Sequence, residues 1–147
     1  MPTGPYDPCP CGSGKKYRFC CQKQDQDAAA AKRQAERAAE QQFLREVAQL
    51  DELSNRANDL IRKGKWDEAE AACAELRQRF PDAIDADERL ALLYTRQNQF
   101  DRAKEHTLAA LAIAESRPDS FDPDFIADLK AEVAYLDECI AVGRLVD

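Results

Sequence analysis

Four cysteines lie close together near the start of the sequence, in a pattern that can bind a metal ion. Cys9 and Cys11 are separated by one residue, and Cys20 and Cys21 follow after eight more. Thiolate sulfur selects zinc over hard cations, and zinc accepts four such ligands in a tetrahedron. The spacing therefore predicts one Zn2+ ion held by all four cysteines. Such a closed site leaves no open position for catalysis and is structural.

The residues between the two cysteine pairs also resemble a known motif. Gly12-Ser13-Gly14 provides a tight turn, and Lys15-Lys16-Tyr17 follows it. Together they resemble the core of the SEC-C motif, the zinc module at the C-terminus of the translocation ATPase SecA, over about residues 5–24. All four cysteines fall on its ligand positions. The resemblance implies a protein partner at ribosomes or among secretion chaperones, with a contact strip formed by Lys15, Lys16, Tyr17 and Arg18.

A pair of disulfide bonds is the alternative chemistry for the same four residues. Disulfides belong mainly to oxidising compartments, and the first twenty residues contain no apolar stretch of the kind found in a signal peptide. We therefore expect reduced cysteines in a cytoplasmic protein with zinc as its cofactor. Zinc contributes roughly 10–16 kcal/mol to small zinc-binding peptides, so metal binding and folding of this loop should be one event.

Charge separates the N-terminal segment from the rest of the chain. Residues 1–24 contain four basic side chains and one acidic side chain, whereas the 147-residue chain carries a net charge of −7. An acidic body is a poor match for nucleic-acid phosphates. RNA binding stays open as a second hypothesis, because Lys15, Lys16 and Arg18 flank Tyr17 and Phe19. No apolar run approaches the roughly 18 residues that cross a bilayer, so no membrane insertion is expected.

Residues 25–49 are predicted to form a helical spacer, with a flexible linker as the alternative. Their first part is rich in alanine and mixed charge. From Phe43 onward an apolar stripe recurs every three or four residues, which indicates an amphipathic helix capping the front of the following domain. The stripe consists of Phe43, Val47, Leu50, Leu53, Ala57, Leu60 and Ile61.

An internal repeat organises residues 50–147. Trp66-Asp67-Glu68-Ala69 aligns with Phe100-Asp101-Arg102-Ala103 at a shift of 34 residues. This period in helix–turn–helix units resembles the tetratricopeptide repeat, with copies at 50–83 and 84–117. The resemblance implies that Trp66 and Phe100 plug the turns between paired helices, and we expect Trp66 to be largely buried. A generic helical bundle is the alternative.

The second copy departs from the repeat pattern at two positions, and a capping helix follows it. Asp87 stands where a large aromatic residue is usual, and Thr107 where a bulky apolar residue is usual. Asp122-Pro123 is a strong helix start. The helix that it begins is amphipathic and should end near Gly143.

No group of residues in the sequence indicates catalysis. His106 is the single histidine and is expected at the surface, while Cys73 and Cys139 are expected as small buried apolar groups. The prediction is an all-α protein with a zinc knuckle (1–24), a helical spacer (25–49) and a tetratricopeptide-like domain (50–147). Its predicted function is that of a non-enzymatic zinc-binding adaptor. A switch that acts through zinc release is a weaker third hypothesis, and the sequence leaves the oligomeric state open.

Overall fold

The fold is built from α-helices, as the sequence predicts. The computed structural model describes residues 3–143, and this part of the chain forms no strand beyond a single bridge between Pro8 and Lys16. None of its helices is both long and apolar enough to cross a membrane. The helices are α1 (Gln22–Arg62), α2 (Trp66–Arg79), α3 (Asp85–Arg96), α4 (Phe100–Ser116) and α5 (Pro123–Gly143).

The chain divides into two compact units, and the boundary lies within α1. The first unit ends at Val47 and contains the four-cysteine loop and the first part of α1. The second unit begins at Ala48 and contains the last part of α1 and the four helices that follow. The finer division at residues 1–24, 25–49 and 50–147 stays a prediction.

The 34-residue repeat is present in the backbone of the second unit. α2 begins at Trp66 and α4 begins at Phe100, as the alignment of the two copies predicts. Each helix follows a residue in the left-handed region, Gly64 with φ 70° and Asn98 with φ 57°. Glycine and asparagine are the residues that adopt this conformation most readily, and it turns the chain at the end of a helix.

The same backbone hydrogen bond closes both turns of the repeat. Lys65 N donates to Leu60 O at 3.0 Å, and Gln99 N donates to Tyr94 O at 2.8 Å. The two bonds are related by the 34-residue shift at both donor and acceptor. The repeat is therefore a structural period of the chain as well as a pattern in its sequence.

Alanines at equivalent positions allow the helices of the second unit to pack closely. Ala57, Ala69, Ala91 and Ala103 have almost no exposed surface. Because a methyl group occupies little space, the helix axes can approach one another while the core remains close-packed. Larger side chains complete the main buried cluster: Ile61, Cys73, Leu90, Leu93, Tyr94 and Leu136.

The expectation that Trp66 is largely buried is wrong. Its side chain is 36% exposed and lies outside the main cluster, whereas Phe100 packs against that cluster. The indole instead lies beside the preceding turn, where a Cβ atom on Gly64 would come 3.7 Å from Trp66 Cζ2. Trp66 therefore covers the turn rather than filling the space between the two helices.

The apolar stripe of α1 covers the core only with its C-terminal half. Leu53, Ala57 and Ile61 are buried, but Phe43 and Val47 are exposed, so that part of the predicted cap is wrong. The reason is structural: no other α-helix begins within the described residues of the first unit, and none is available there to cover these side chains.

The C-terminal helix begins where the sequence predicts, and part of its predicted apolar face is buried. Asp122 Oδ1 accepts a hydrogen bond from Asp124 N at 2.8 Å, and Pro123 is the first residue of α5. This arrangement satisfies one of the free amide groups at the helix start. Leu129 and Leu136 are buried on the inner face of α5.

Candidate metal centre and binding surfaces

The first cysteine pair lies in a tight loop that its own backbone holds closed. Cys9 N donates to Lys15 O at 2.8 Å, and Gly12 N donates to Cys9 O at 3.2 Å. Gly12 and Gly14 have φ values of 79° and 73°. A side chain at either position would strain the backbone, so the glycines are required for this turn.

The second cysteine pair is brought to the first by a single helical turn. Residues Tyr17–Phe19 form a 3-10 turn, and Cys20 N donates to Tyr17 O at 3.0 Å. Helix α1 begins at the next residue after Cys21, whose carbonyl oxygen accepts a hydrogen bond from Asp25 N at 2.9 Å. The start of α1 thereby sets the position of Cys21.

The four thiol groups converge on one small volume. The four Sγ atoms, from Cys9, Cys11, Cys20 and Cys21, all lie within 4.8 Å of one another. The Sγ of Cys20 is 3.4 Å from that of Cys11 and 3.8 Å from that of Cys21. In a tetrahedral site with Zn–S bonds of about 2.3 Å, the sulfurs are about 3.8 Å apart. The observed separations fit a metal ion of this kind.

The electrostatics of the cluster also favour a bound cation. Hydrogen bonding, from Ser13 first, lowers the pKa of Cys11 to about 6. Hydrogen bonds with the other thiols, that of Cys9 first, raise the pKa of Cys21 to about 12. Four thiolates at these distances repel one another strongly, so the cluster retains protons unless a cation compensates the charge.

Three side chains of the predicted contact strip are exposed, whereas the fourth, Tyr17, makes a hydrogen bond within the first unit. Lys15, Lys16 and Arg18 are exposed. Tyr17 is half-buried, and its hydroxyl donates to Asp25 Oδ2 at 2.8 Å, a hydrogen bond that raises the pKa of the phenol. Tyr17 therefore ties the knuckle to the first turn of α1.

Two aromatic rings join the exposed basic residues in a surface that we call the aromatic–cation patch, formed by Tyr6, Lys16, Arg18 and Phe19. Arg18 Nη1 donates to Tyr6 Oη at 2.7 Å, and the guanidinium lies 5.7 Å from the ring centroids of both Tyr6 and Phe19. The rings are 59% and 70% exposed, respectively. Sequence reasoning missed the pairing with Tyr6, because the two residues are twelve positions apart and meet only when the loop closes.

Sequence reasoning also missed a partly buried ionic cluster in the second unit, centred on Asp87. Asp87, in the first turn of α3, is buried and contacts Arg77 of α2 and His106 of α4. His106 Nδ1 lies 2.8 Å from Asp87 Oδ1, and the imidazole stacks on Tyr94 at 5.5 Å between centroids. The expectation of a surface His106 is therefore wrong. The unusual Asp87 of the second repeat was the one signal that could have led to the cluster.

This cluster borders a groove of about 450 Å³ lined by α2, α3 and α4. Cys73 and Leu90 form apolar parts of its wall, and Arg77 and Glu70 supply charge. Tyr94 Oη donates to Glu70 Oε1 at 2.6 Å. The groove thus combines apolar depth with charged and aromatic groups, as binding grooves for small ligands or peptide side chains do.

A second cavity, of about 220 Å³, lies between α3, α4 and α5 and is acidic. Glu88 and Glu132 line it, and burial raises the pKa of both carboxyl groups. Arg89 also lines it, but its Nε donates to Ser54 Oγ of α1 at 3.0 Å.

The two remaining cysteines are separate from the metal cluster. Cys73 is fully buried, and burial raises its pKa to about 11, so the thiol is unreactive at neutral pH. Cys139 is half-buried on α5. Thr107, the other departure from the repeat pattern, is buried and donates its hydroxyl proton to Ala103 O at 3.1 Å.

Two family models match the chain, each over one of the two regions described above. The SEC-C motif matches residues 7–23, which include all four clustered cysteines. The tetratricopeptide repeat matches residues 60–120, which include the helices from α2 to α4. The recognition of both motifs from the sequence is confirmed.

The similar curated proteins match only the cysteine-rich segment. The protein translocase subunit SecA of Symbiobacterium thermophilum is 83% identical over 19 residues, which are 13% of this chain and 2% of that protein. The corresponding subunit of Treponema denticola is 75% identical over 21 residues, which are 14% of this chain and 2% of that protein. The chain thus spans about 2% of the length of these relatives. No solved structure matches it.

Proposed function

We propose that the protein is a non-enzymatic, zinc-binding adaptor that holds protein partners through two separate surfaces. The observation that carries the proposal is the convergence of four Sγ atoms within 4.8 Å, inside a SEC-C match. The tetratricopeptide match supports protein interaction by the second unit, because repeat domains of this type present extended binding surfaces. We propose that the adaptor acts in the cytoplasm.

The role of the zinc in this proposal is structural. Cys9, Cys11, Cys20 and Cys21 would hold the ion, which would compensate their charge and join the two ends of the loop. All four positions of the ion are then occupied by protein sulfur, so no water or substrate reaches the metal. We propose no catalytic step for this chain.

The aromatic–cation patch is proposed as the knuckle's contact surface. Exposed aromatic and arginine side chains are enriched at protein interfaces, because the rings bury a large area with little loss of conformational entropy and arginine offers several hydrogen-bond donors. The proposed partner is a ribosome or a secretion chaperone, a choice that rests on the SEC-C resemblance. The partner surface must carry negative charge to complement Lys16 and Arg18.

The second unit is proposed to bind a separate partner segment. The groove beside Asp87 and His106 has room for one apolar side chain, with charged groups at its edge to orient the peptide. One chain could then join two partners, and this would be its function as an adaptor.

Co-sedimentation with purified ribosomes, and capture of a purified secretion chaperone, test the proposed knuckle surface. We expect the zinc-loaded chain to bind one of them, and an Arg18→Glu, Phe19→Ala variant to bind about tenfold more weakly. Lys23→Glu is the matched control, because Lys23 is a basic residue of the same segment that lies outside the patch. An equal loss of affinity in the Lys23→Glu control would mean that the change in net charge alone explains the weaker binding of the double variant.

Single-stranded RNA is the second candidate partner, favoured by the two exposed rings beside Arg18. Bases stack on such rings, and the arginine can contact phosphate. A single-stranded oligonucleotide that binds in the absence of protein partners, and that Phe19→Ala weakens, would favour RNA. Ribosome binding that survives nuclease treatment of exposed RNA would favour a protein contact. Failure of all three probes would overturn the proposed surface.

A further inference from the structure

The first part of α1 is a long helix without a packing partner in its own unit. Every residue from Lys23 to Gln49 is exposed. In folded proteins most of the stability of a helix comes from packing one of its faces against another element. A partner that covers one face of this segment would supply that packing.

Large apolar side chains lie together near the end of this segment. Phe43 is 63% exposed, Leu44 is 58% exposed and Val47 is 38% exposed. Because they are separated by one, three and four positions, these three side chains form one contiguous surface, which we call the α1 patch. Contiguous exposed apolar surfaces of this kind are characteristic of interaction sites.

The charged residues of residues 22–47 are divided between the face of Phe43 and the rest of the helix. Each residue advances an α-helix by about 100°, so the face that a charged residue shares follows from its distance in the sequence to Phe43. Four acidic residues and one basic residue share the face of Phe43: Asp25, Glu36, Glu40, Glu46 and Lys32. Four basic residues and one acidic residue lie around the rest of the helix: Lys23, Arg33, Arg37, Arg45 and Asp27. The apolar face of this helix is therefore also its acidic face.

The two carboxylates next to Phe43 keep their negative charge. Glu40 lies three positions before Phe43 and Glu46 lies three positions after it. Glu46 Oε1 accepts a hydrogen bond from the neutral amide of Gln42 at 2.8 Å. Lys32 lies 4.0 Å from Glu36, and among the described residues neither Glu40 nor Glu46 pairs with a basic side chain.

This combination of apolar and acidic groups determines the chemistry of a matching partner. Charges that flank an apolar helix seam select the partner helix by attraction or repulsion. A second copy of this chain would present the same acidic face, so pairing through this face would bring carboxylates together. A helix with an apolar stripe and flanking lysine or arginine side chains would instead complement both the patch and its carboxylates.

We propose that the α1 patch docks a basic amphipathic helix of a partner protein. The apolar stripe of that helix would cover Phe43, Leu44 and Val47, and its basic side chains would meet Glu40 and Glu46. This surface is separate from the aromatic–cation patch and from the groove beside Asp87. The inference therefore depends neither on the zinc ion nor on the partners proposed above.

Fluorescence anisotropy with a labelled synthetic peptide tests the proposal. The probe is an amphipathic helical peptide with leucine at every third or fourth position and lysine beside the leucines, and its counterpart has glutamate in place of lysine. We expect the full-length, zinc-loaded chain to bind the lysine peptide at least about tenfold more tightly than the glutamate peptide. A Phe43→Gln, Leu44→Gln variant should bind the lysine peptide about 30-fold more weakly. Leu108→Gln is the control, since Leu108 is also exposed but lies on α4.

A second pair of variants tests the contribution of the carboxylates. Glu40→Gln, Glu46→Gln should weaken binding of the lysine peptide about fivefold and make the remaining affinity less sensitive to salt. Glu105→Gln, Glu138→Gln is the matched control, because it changes the net charge equally at exposed positions on α4 and α5. Far-UV circular dichroism shows whether each variant remains helical.

Three results would overturn the proposal. The first is a lysine peptide that does not bind, or that the patch variant binds as well as the parent does. The second is an equal loss of affinity in the two carboxylate double variants, which would reduce the attraction to the net charge of the chain. The third is self-association of the chain in sedimentation equilibrium that the patch variant abolishes, because a second copy would then occupy this face.

Discussion

Cys20 lies at the centre of the contacts within the candidate metal site, with its sulfur near those of Cys11 and Cys21 and 3.1 Å from the hydroxyl of Ser13. Serine retains the size of cysteine but lacks the soft thiolate that zinc requires. We expect Cys20→Ser to lose most of its zinc, as measured by elemental analysis of the purified protein. Cys139→Ser is the control and should keep one equivalent. A full equivalent of zinc retained by Cys20→Ser would contradict the assignment of Cys20 as a zinc ligand.

Asp87 is a buried carboxylate that joins three helices of the second unit. Asp87→Ala leaves the partly buried His106 without its partner and breaks the contact with Arg77. We expect the free energy of unfolding to fall by about 1–3 kcal/mol in urea titrations. Asp67→Ala, at an exposed position in the first turn of α2, should change it by less than about 0.5 kcal/mol. Equal effects would mean that the cluster contributes no specific stability.

At the scale of elements, the two copies of the repeat use their aromatic residues differently. Phe100 packs against the main cluster, whereas Trp66 covers a turn and is 36% exposed. Phe100→Ala should therefore lower the unfolding free energy by about 3 kcal/mol, and Trp66→Ala by about half as much. Thermal or urea unfolding of the two variants measures the difference. A larger loss in Trp66→Ala would contradict the observed packing.

The fluorescence of Trp66 gives a second measurement of the same difference. It is the single tryptophan of the chain. A partly solvated indole emits to the red of a fully buried one, so we expect native emission between that of a buried and that of a free tryptophan. Emission typical of a fully buried indole would again contradict the packing described here.

At the scale of the whole molecule, the metal site and the repeat core are separate in the chain. Residues 9–21 contain the four clustered cysteines that we propose as zinc ligands, while the buried clusters of the second unit draw their side chains from α1 to α5. Chelation of zinc should disorder the knuckle and leave the far-UV helical signal nearly intact. Circular dichroism with and without chelator measures this. Collapse of the helical signal would mean that the core depends on the metal.

The sequence by itself determined the features that depend on local spacing. The four cysteines with the glycines between them, and Asp122-Pro123, form short contiguous motifs, and the 34-residue shift is a repeat in the order of the residues. Helix starts at Trp66 and Phe100 follow from backbone preferences and periodicity. These preferences are read directly from the order of residues.

Only the tertiary structure decided which side chains meet across distant parts of the chain. Arg18 reaches Tyr6 across twelve residues, and Asp87 reaches His106 across nineteen. The apolar period of α1 is the same at Phe43 as at Ile61, yet only Ile61 is covered. Periodicity specifies a face of a helix, whereas burial requires another element beside that face. For this reason the covered half of the stripe could not be distinguished from the exposed half before the packing was known.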